Sequence, residues 1–418
     1  MQTIDTVVIG AGHAGLAVSR LLTDVGRDHV VLDRGGVGER WRTERWDSLR
    51  LLTPNWMTRL PGWQHGGADP DRFMSAGGFV RYLERYAESF GSPIVGGTAV
   101  QELGQAASGG YRLVTDRGAW RARHVVIATG PHGLPHVPAG LDAAEVLTAN
   151  SYRNPAQLRP GGVLVVGASS SGVQIADELN RAGREVLLSA GRHTRMPRRY
   201  RGMDIFWWLH VTGRLARTIH EVPDPSAARR EPSMQLVGRA PERDVDLVAL
   251  QARGVRLLGR FDGMQGARGR FRPDLAQNVA AADNRMHRVL DAVDEYVART
   301  GLTDEVFPAL RPRRLDLPAP TGSVDLAREG IGTVLVAAGY RPDYPWLRLR
   351  ITAPDGSIRQ NQGVTPASGV YVVGQRFQHR RDSGFIDGAR HDARTVVRHL
   401  QTDSTSIASS ECSEESAA

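Results

Sequence analysis

"VVIGAGHAGLAVSRLL" (Val7–Leu22) opens with a short apolar run that stops at Gly10, with two more glycines at 12 and 15. Leu16, Leu21, Leu22 and Val25 then recur at roughly helical spacing, and Gly26 suits the end of the helix. "HVVLD" (His29–Asp33) reads as a second strand, so the order is strand, glycine turn, helix, strand. Each glycine has a separate physical reason. Gly10 permits the tight turn, Gly12 lets the backbone approach a pyrophosphate, and Gly15 lets the helix pack on the strand. The helix start offers free N–H groups to phosphate. Asp33, 23 residues after Gly10, stands where an acid would bind ribose hydroxyls. An adenine dinucleotide is expected here.

The same order recurs. "GGVLVVG" is a strand, "VQIADELNRAG" a helix ended by Gly183, and "REVLLSAG" a strand, with the turn starts Gly10 and Gly167 157 residues apart. That is a repeat at domain scale. Gly167 and Gly172 are retained, but Ser169 replaces the middle glycine. Ser169, Ser170 and Ser171 can donate O–H bonds to phosphate, so a second nucleotide is expected, against a decayed structural domain as the alternative. No acid ends the following strand; "AGRHTRMPRRYRG" follows instead. Arg192, foremost, and Arg195 are candidates for a 2′-phosphate, hence NADPH, against a merely solvated basic loop.

Between the second unit and "GTVLVAAGY" lies a helical elaboration, with an apolar stripe of Leu275, Val279, Met286, Val289, Leu290, Val293 and Val297. The cluster "DIFWWL" (Asp204–Leu209) reads as core or lid packing rather than a membrane patch. The fold class expected is α/β with two Rossmann-like domains, the first interrupted by the second. The boundaries are 1–155, 156–315 and 316–402, then a polar, Ser-rich tail at 403–418 expected to be disordered.

Of 418 residues, 41% are hydrophobic and 23% charged, as in an ordinary globular protein. The net charge is +8, and every basic side chain other than histidine is arginine. No nucleic-acid-binding pattern appears and the charges are interleaved, so no nucleic-acid partner is expected. No apolar run has the length of a membrane span and the opening residues lack a secretory pattern, so the expected location is cytoplasmic. The one cysteine, Cys412, excludes an internal dithiol relay. The histidines show no ligand spacing, and no metal is expected.

The segment after Asp33 carries Glu39, Arg40 and Trp41, then "WDSLRLLTP" (Trp46–Pro54). Together with "ATG" (Ala128–Gly130), "AAGYRPD" (Ala337–Asp343) and "VVGQ…SGFIDGARHDA", it resembles the FAD/NAD(P)H-dependent flavoprotein monooxygenases, flavin-containing monooxygenases and YUCCA-type enzymes among them. The resemblance implies FAD on Gly10, Gly12, His13, Ala14 and Gly15, with Asp33, Arg34, Val100, Thr129 and Gly130 along the nucleotide. Arg40 and Trp41 would flank the linking region and Thr53 the isoalloxazine. Gly374, Ser383, Gly384 and Phe385 would meet the pyrophosphate and pyrimidine side, where a helix start favours negative charge. It implies NADPH on Gly167, Ser169, Ser170, Ser171, Gly172, Arg192 and Arg195, and Asn55 and Arg381 as catalytic candidates. The implied activity inserts one oxygen atom of dioxygen into a small or medium organic substrate through a C4a-(hydro)peroxyflavin. An NADPH oxidase or a quinone or small-molecule reductase is the alternative. The family's FxGxxxHxxxY/F element is degraded: Asp142, Ala144 and Thr148 hold its first three positions and only Tyr152 survives. A nucleotide-sensing regulator built on the same fold is a third reading.

Overall fold

The computed structural model describes residues 1–141, 146–239 and 244–415, with side chains described as far as residue 402. The expected βαβ unit forms: strand Gln2–Ile9, helix His13–Asp24 and strand His29–Leu32, the two strands pairing in parallel. They belong to a seven-stranded sheet, in which Ile94–Val95 flanks His29–Leu32 and Gly118–Ile127 flanks Gln2–Ile9. Val370–Val372 pairs with the end of Gly118–Ile127, so the chain returns to the first domain after a long excursion. The helices His13–Asp24, Ala76–Ser89 and Ile386–Glu415 cover this sheet through Leu16, Phe79, Leu83, Ala389, Ala393 and Val396.

The excursion builds a second, all-parallel sheet ordered Leu147–Thr148, Ile331–Val336, Gly162–Val166, Val186–Ser189, Arg256–Leu258. This moves the boundaries expected at 156 and 315. "GTVLVAAGY" pairs with Gly162–Val166, so the second domain runs on to about residue 338 and already begins at Leu147. An apolar run buried on both faces reads the same in either sheet, which is why the sequence left its owner open.

The elaboration has its own core. The long helix Leu275–Thr300 buries Met286, Leu290, Val293 and Val297 against Ile205, Phe206 and Trp208 of helix Ile205–Val211. Trp208 is fully buried and donates its indole N–H to the Tyr200 carbonyl at 2.7 Å, so "DIFWWL" is packing. Among the described residues no helix is long and apolar enough to cross a membrane. The last helix continues to Glu415, the side chains of 403–415 lie outside the described set, and so do 416–418 entirely. The expectation of a disordered tail falls on those residues.

Candidate active site

The two glycine turns match position by position at an offset of 157 residues, in backbone angle, hydrogen bond and Cβ contact. Gly10 has φ +111° and donates its N–H to Leu32 O at 2.8 Å; Gly167 has φ +109° and donates to Ser189 O at 3.0 Å. A Cβ on Gly10 would lie 2.8 Å from Ala128 O, and one on Gly167 would lie 2.5 Å from Ala337 O. Gly15 and Gly172 match as well, their Cβ positions falling 1.9 Å and 1.8 Å from the Gly10 and Gly167 carbonyl oxygens. Only glycine fits at these four places.

Ser169 therefore corresponds to Gly12, and the backbone explains why serine is tolerated. Gly12 caps its helix at φ −82°, ψ 179° and Ser169 caps its own at φ −81°, ψ −172°, extended geometry open to any residue. A Cβ on Gly12 would meet nothing within 4 Å, so the space over the turn is free for a ligand. The Ser169 side chain makes no capping bond to its own helix, Ser170 is buried with its Oγ accepting from Gln174 at 3.0 Å, and Ser171 is half-buried beside them.

The same register places Ala190 where the first domain has Asp33. Both Asp33 oxygens accept backbone N–H groups, from Ala11 at 2.7 Å and Gly35 at 2.9 Å, so the carboxylate first of all shapes the first cradle. At the second cradle no acid follows the strand. Exposed Arg192 stands two residues past Ala190, and Arg260 approaches Gly191, its Nε 3.2 Å from where a Cβ would sit. The expectation for Arg195 is corrected. Its guanidinium is buried and committed to Asp246 and Asp283, both at 2.7 Å, and to the Arg313 carbonyl at 2.5 Å, which leaves nothing to offer a phosphate.

Beside the first cradle is a cluster of imidazoles and guanidinium groups that the sequence did not reveal. His132, just past "ATG", is pushed down to about 3 by burial and by the nearby charges of Arg45, Arg376, Arg40 and His13. His13, the first residue of its helix, is held down at about 4 by burial, and its Nε2 has no partner. Both imidazoles are neutral at physiological pH. Arg376 is exposed and donates to the Glu231 carbonyl at 2.5 Å, and desolvation and the charge of Arg381 push its guanidinium down. Arg40 donates to the His132 carbonyl, and the His132 ring meets Tyr340 edge-on at 4.7 Å. These side chains come from five separate segments, so no spacing rule could join them.

The other expected residues distribute as follows. Ala14 touches the Gly374 turn, where a Cβ would lie 2.9 Å from its own; Gly374 has φ +76° and Gly130 φ +75°. Arg34 pairs with Glu44 at 2.6 Å on the surface, and Trp41 packs edge-on against Phe79 at 5.0 Å. Val100 begins a strand just beyond Thr98, whose N–H binds Asp33 O at 2.7 Å; Thr129 follows Ala128 at the cradle. Thr53 precedes the single turn Asn55–Met57. Asn55 is 6% exposed; its Nδ2 donates to Asp69 O at 3.0 Å while its Oδ1 is buried without a partner. Ser383 Oγ accepts from the N–H groups of His379 and Arg380 at 3.2 and 2.9 Å and closes the turn before Gly384. Phe385 meets Phe206 at 5.9 Å, and Arg381 is paired with Glu231 at 2.6 Å.

Asp142 and Ala144 lie outside the described residues. Thr148 is in a strand of the second sheet, and Tyr152 is fully buried, donating to Glu178 Oε2 at 3.0 Å. Tyr152 joins Trp46 and Leu49 in the core of the second domain, so the surviving residue ties the two domains together.

Comparison with known proteins agrees with this architecture. The family described as pyridine nucleotide-disulphide oxidoreductase matches residues 7–203. An uncharacterized CzcO-like oxidoreductase of Geobacillus kaustophilus is 28% identical over 412 residues, spanning 95% of this chain and 98% of that protein. Indole-3-pyruvate monooxygenase YUCCA4 of Oryza sativa is 27% identical over 420 residues, spanning 94% and 87%. The structure of a flavin-containing monooxygenase from Stenotrophomonas maltophilia aligns with a TM-score of 0.66 at 20% identity, covering 96% of this chain and 99% of that one. The chain shares with these proteins a fold of two dinucleotide-binding domains and is similar to flavin-dependent oxidoreductases.

Proposed function

We propose that this protein is an NADPH-dependent FAD monooxygenase acting on a small organic substrate. FAD belongs on the intact turn, where Gly12 leaves open space before a helix start and Asp33 shapes the loop. NADPH belongs on the second turn. The observation that carries this choice is the register that puts Ala190 in place of Asp33, with Arg192 and Arg260 beside it. An acid there would repel a 2′-phosphate, whereas a guanidinium can bind it bidentately.

When bound, reduced FAD would supply the electrons by which dioxygen is divided between substrate and water. The chain's own residues then have definable tasks. Neutral His13 and His132 add no acid to this cluster, while Arg45 and Arg376 make it electropositive toward phosphates and the reduced isoalloxazine. Asn55 is held through Nδ2, and its Oδ1 is buried with no partner among the described residues. Arg381, through Glu231, positions the turn before Ser383 and is a positioning residue. With Cys412 as the only cysteine, an internal dithiol cannot take the electrons onward.

Thr148, in place of the family's histidine, favours a second reading as an NADPH oxidase or reductase without oxygen insertion. Measuring peroxide release against NADPH consumption across a panel of carbonyl and sulfur compounds separates the two. The monooxygenase reading expects some compound to suppress peroxide and appear oxygenated. Peroxide equal to NADPH throughout would support the second.

A further inference from the structure

A cavity of about 630 Å³ lies away from both cradles, between the outer face of helix Leu275–Thr300 and the loop that follows Val211. Three arginines line it: Arg214, Arg217 and Arg299. None of the three has an ion pair within 4 Å among the described residues, unlike buried Arg195 and Arg198 and the neighbouring Arg381. Arg214 is half-buried, and its one hydrogen bond is from Nη2 to the Arg288 carbonyl at 3.4 Å. Arg217 donates only to the Glu221 carbonyl, and Arg299 lies over the Tyr296 ring at 5.8 Å.

Two acids in the lining, Glu221 and Glu295, offset the three arginines only in part. Glu221 accepts from Thr218 N and Oγ1 at 2.6 Å each through Oε2, and its charge also faces Arg217. Glu295, exposed on the long helix, attracts Arg214 only at a distance. Arg381 adds another positive charge nearby, though it is itself paired with Glu231. Burial, Arg217 and Arg381 all push the Arg214 guanidinium below its ordinary range. A half-buried cation among like charges is costly unless an anion joins it.

We propose that this cavity is a binding site for a small oxyanion, a phosphate or carboxylate group, clamped by Arg214 and Arg217 with Arg299 at its rim. It is distinct from the 2′-phosphate position. Arg299 lies about 21 Å along the helix from Arg285, the residue that reaches His193 O beside Arg192, at a rise of about 1.5 Å per residue.

The site is coupled to the first domain through the backbone. Ile219 N–H donates to His379 O at 2.7 Å, Arg381 N–H to Arg217 O at 2.9 Å, and Asp382 N–H to Leu215 O at 3.2 Å. Residues 379–382 lead directly into Ser383–Phe385. An anion that orders the 212–221 loop therefore also orders the turn in front of the last helix. That consequence rests on the reading of this turn as flavin-facing; anion binding itself does not.

The test uses the full-length, FAD-loaded protein, saturated with NADP⁺ so that both cradles are filled. Calorimetric titration with inorganic phosphate, and separately with citrate, is followed by hydrogen exchange at the Arg381 and Asp382 amides. Saturable binding of either probe is expected, weakened about tenfold or more in Arg214→Ala and in the exposed variant Arg217→Ala, and unchanged in Arg85→Ala, an exposed arginine of helix Ala76–Ser89 that is not part of the cavity lining. Phosphate preferred over citrate would mark a phosphorylated ligand, and the reverse a carboxylic acid. Slower exchange at both amides with probe bound is also expected. Absence of binding up to about 50 mM, or binding unaffected by Arg217→Ala, would overturn the site. Unchanged exchange despite binding would overturn the coupling.

Discussion

At Gly12 a Cβ would meet no atom within 4 Å, whereas at Gly15 it would lie 1.9 Å from the Gly10 carbonyl oxygen. The first glycine is kept for a ligand and the second for the fold. Gly12→Ala is therefore expected to fold with a melting temperature close to wild type in the FAD-free state while its FAD affinity falls about tenfold or more, read by flavin fluorescence. Gly15→Ala is expected to lose about 3 kcal/mol or more of stability in denaturant melts, because helix and strand must separate. Asp392 gives a pH dependence. It is 1% exposed, neither carboxylate oxygen has a hydrogen bond of ordinary length, and burial pushes it up to about 7. Between its unfolded value near 4 and about 7 the folded state holds a proton that the unfolded chain has lost. Its contribution therefore falls as pH rises through that window, by up to about 1.4 kcal/mol per unit, and levels off above it. Asp392→Asn should gain stability over wild type at pH 8 and show little gain at pH 4, by thermal melts at both. Equal effects at the two pH values would contradict the assignment. The glycines were legible from sequence because their spacing states their geometry. Asp392 was not, since its burial is made by residues brought in from elsewhere in the chain.

Among the elements, the second strand–turn–helix shows what a repeat in the sequence can and cannot convey. The order of strand, turn and helix was readable twice, and the matched capping angles of Gly12 and Ser169 explain why a degraded motif still builds the same turn. The roles of the arginines that follow were not readable. Asp246 and Asp283, which capture Arg195, lie 51 and 88 residues further along the chain. Removing one partner of a buried ionic clamp leaves charges uncompensated, so Arg195→Ala should cost about 3–5 kcal/mol while leaving the NADPH-to-NADH preference intact. Arg192→Ala should do the reverse, lowering that preference about tenfold with little change in stability. Steady-state kinetics with both nucleotides, beside melts of both variants, would show whether the two effects separate in this way.

Over the whole molecule, two crossings join the domains, and the short pairing of Leu134–Pro135 with Tyr340–Arg341 braces them. Trp46, Leu49 and Tyr152 add a packed joint in the second domain's core, and Asn154 reaches Asp47 at 2.7 Å. The α/β class and both glycine turns followed from periodicity and glycine spacing, and the interrupted order of the domains from the resemblance to flavoprotein monooxygenases. The owner of the strand Ile331–Val336 did not, and neither did the gathering of His132, Arg45 and Arg376, because pairing partners and side-chain neighbours are long-range facts. The central claim is that electrons taken from NADPH are used to insert oxygen, although Thr148 stands where the resembling family has histidine. It is tested most directly by anaerobic stopped-flow. The FAD-loaded protein is reduced with NADPH and mixed with oxygenated buffer, with and without candidate substrates, while the flavin spectrum is followed. A flavin–oxygen adduct that persists, and whose decay a substrate hastens, is the predicted result. Direct return to oxidised flavin with one peroxide released per NADPH, whatever substrate is present, would contradict it.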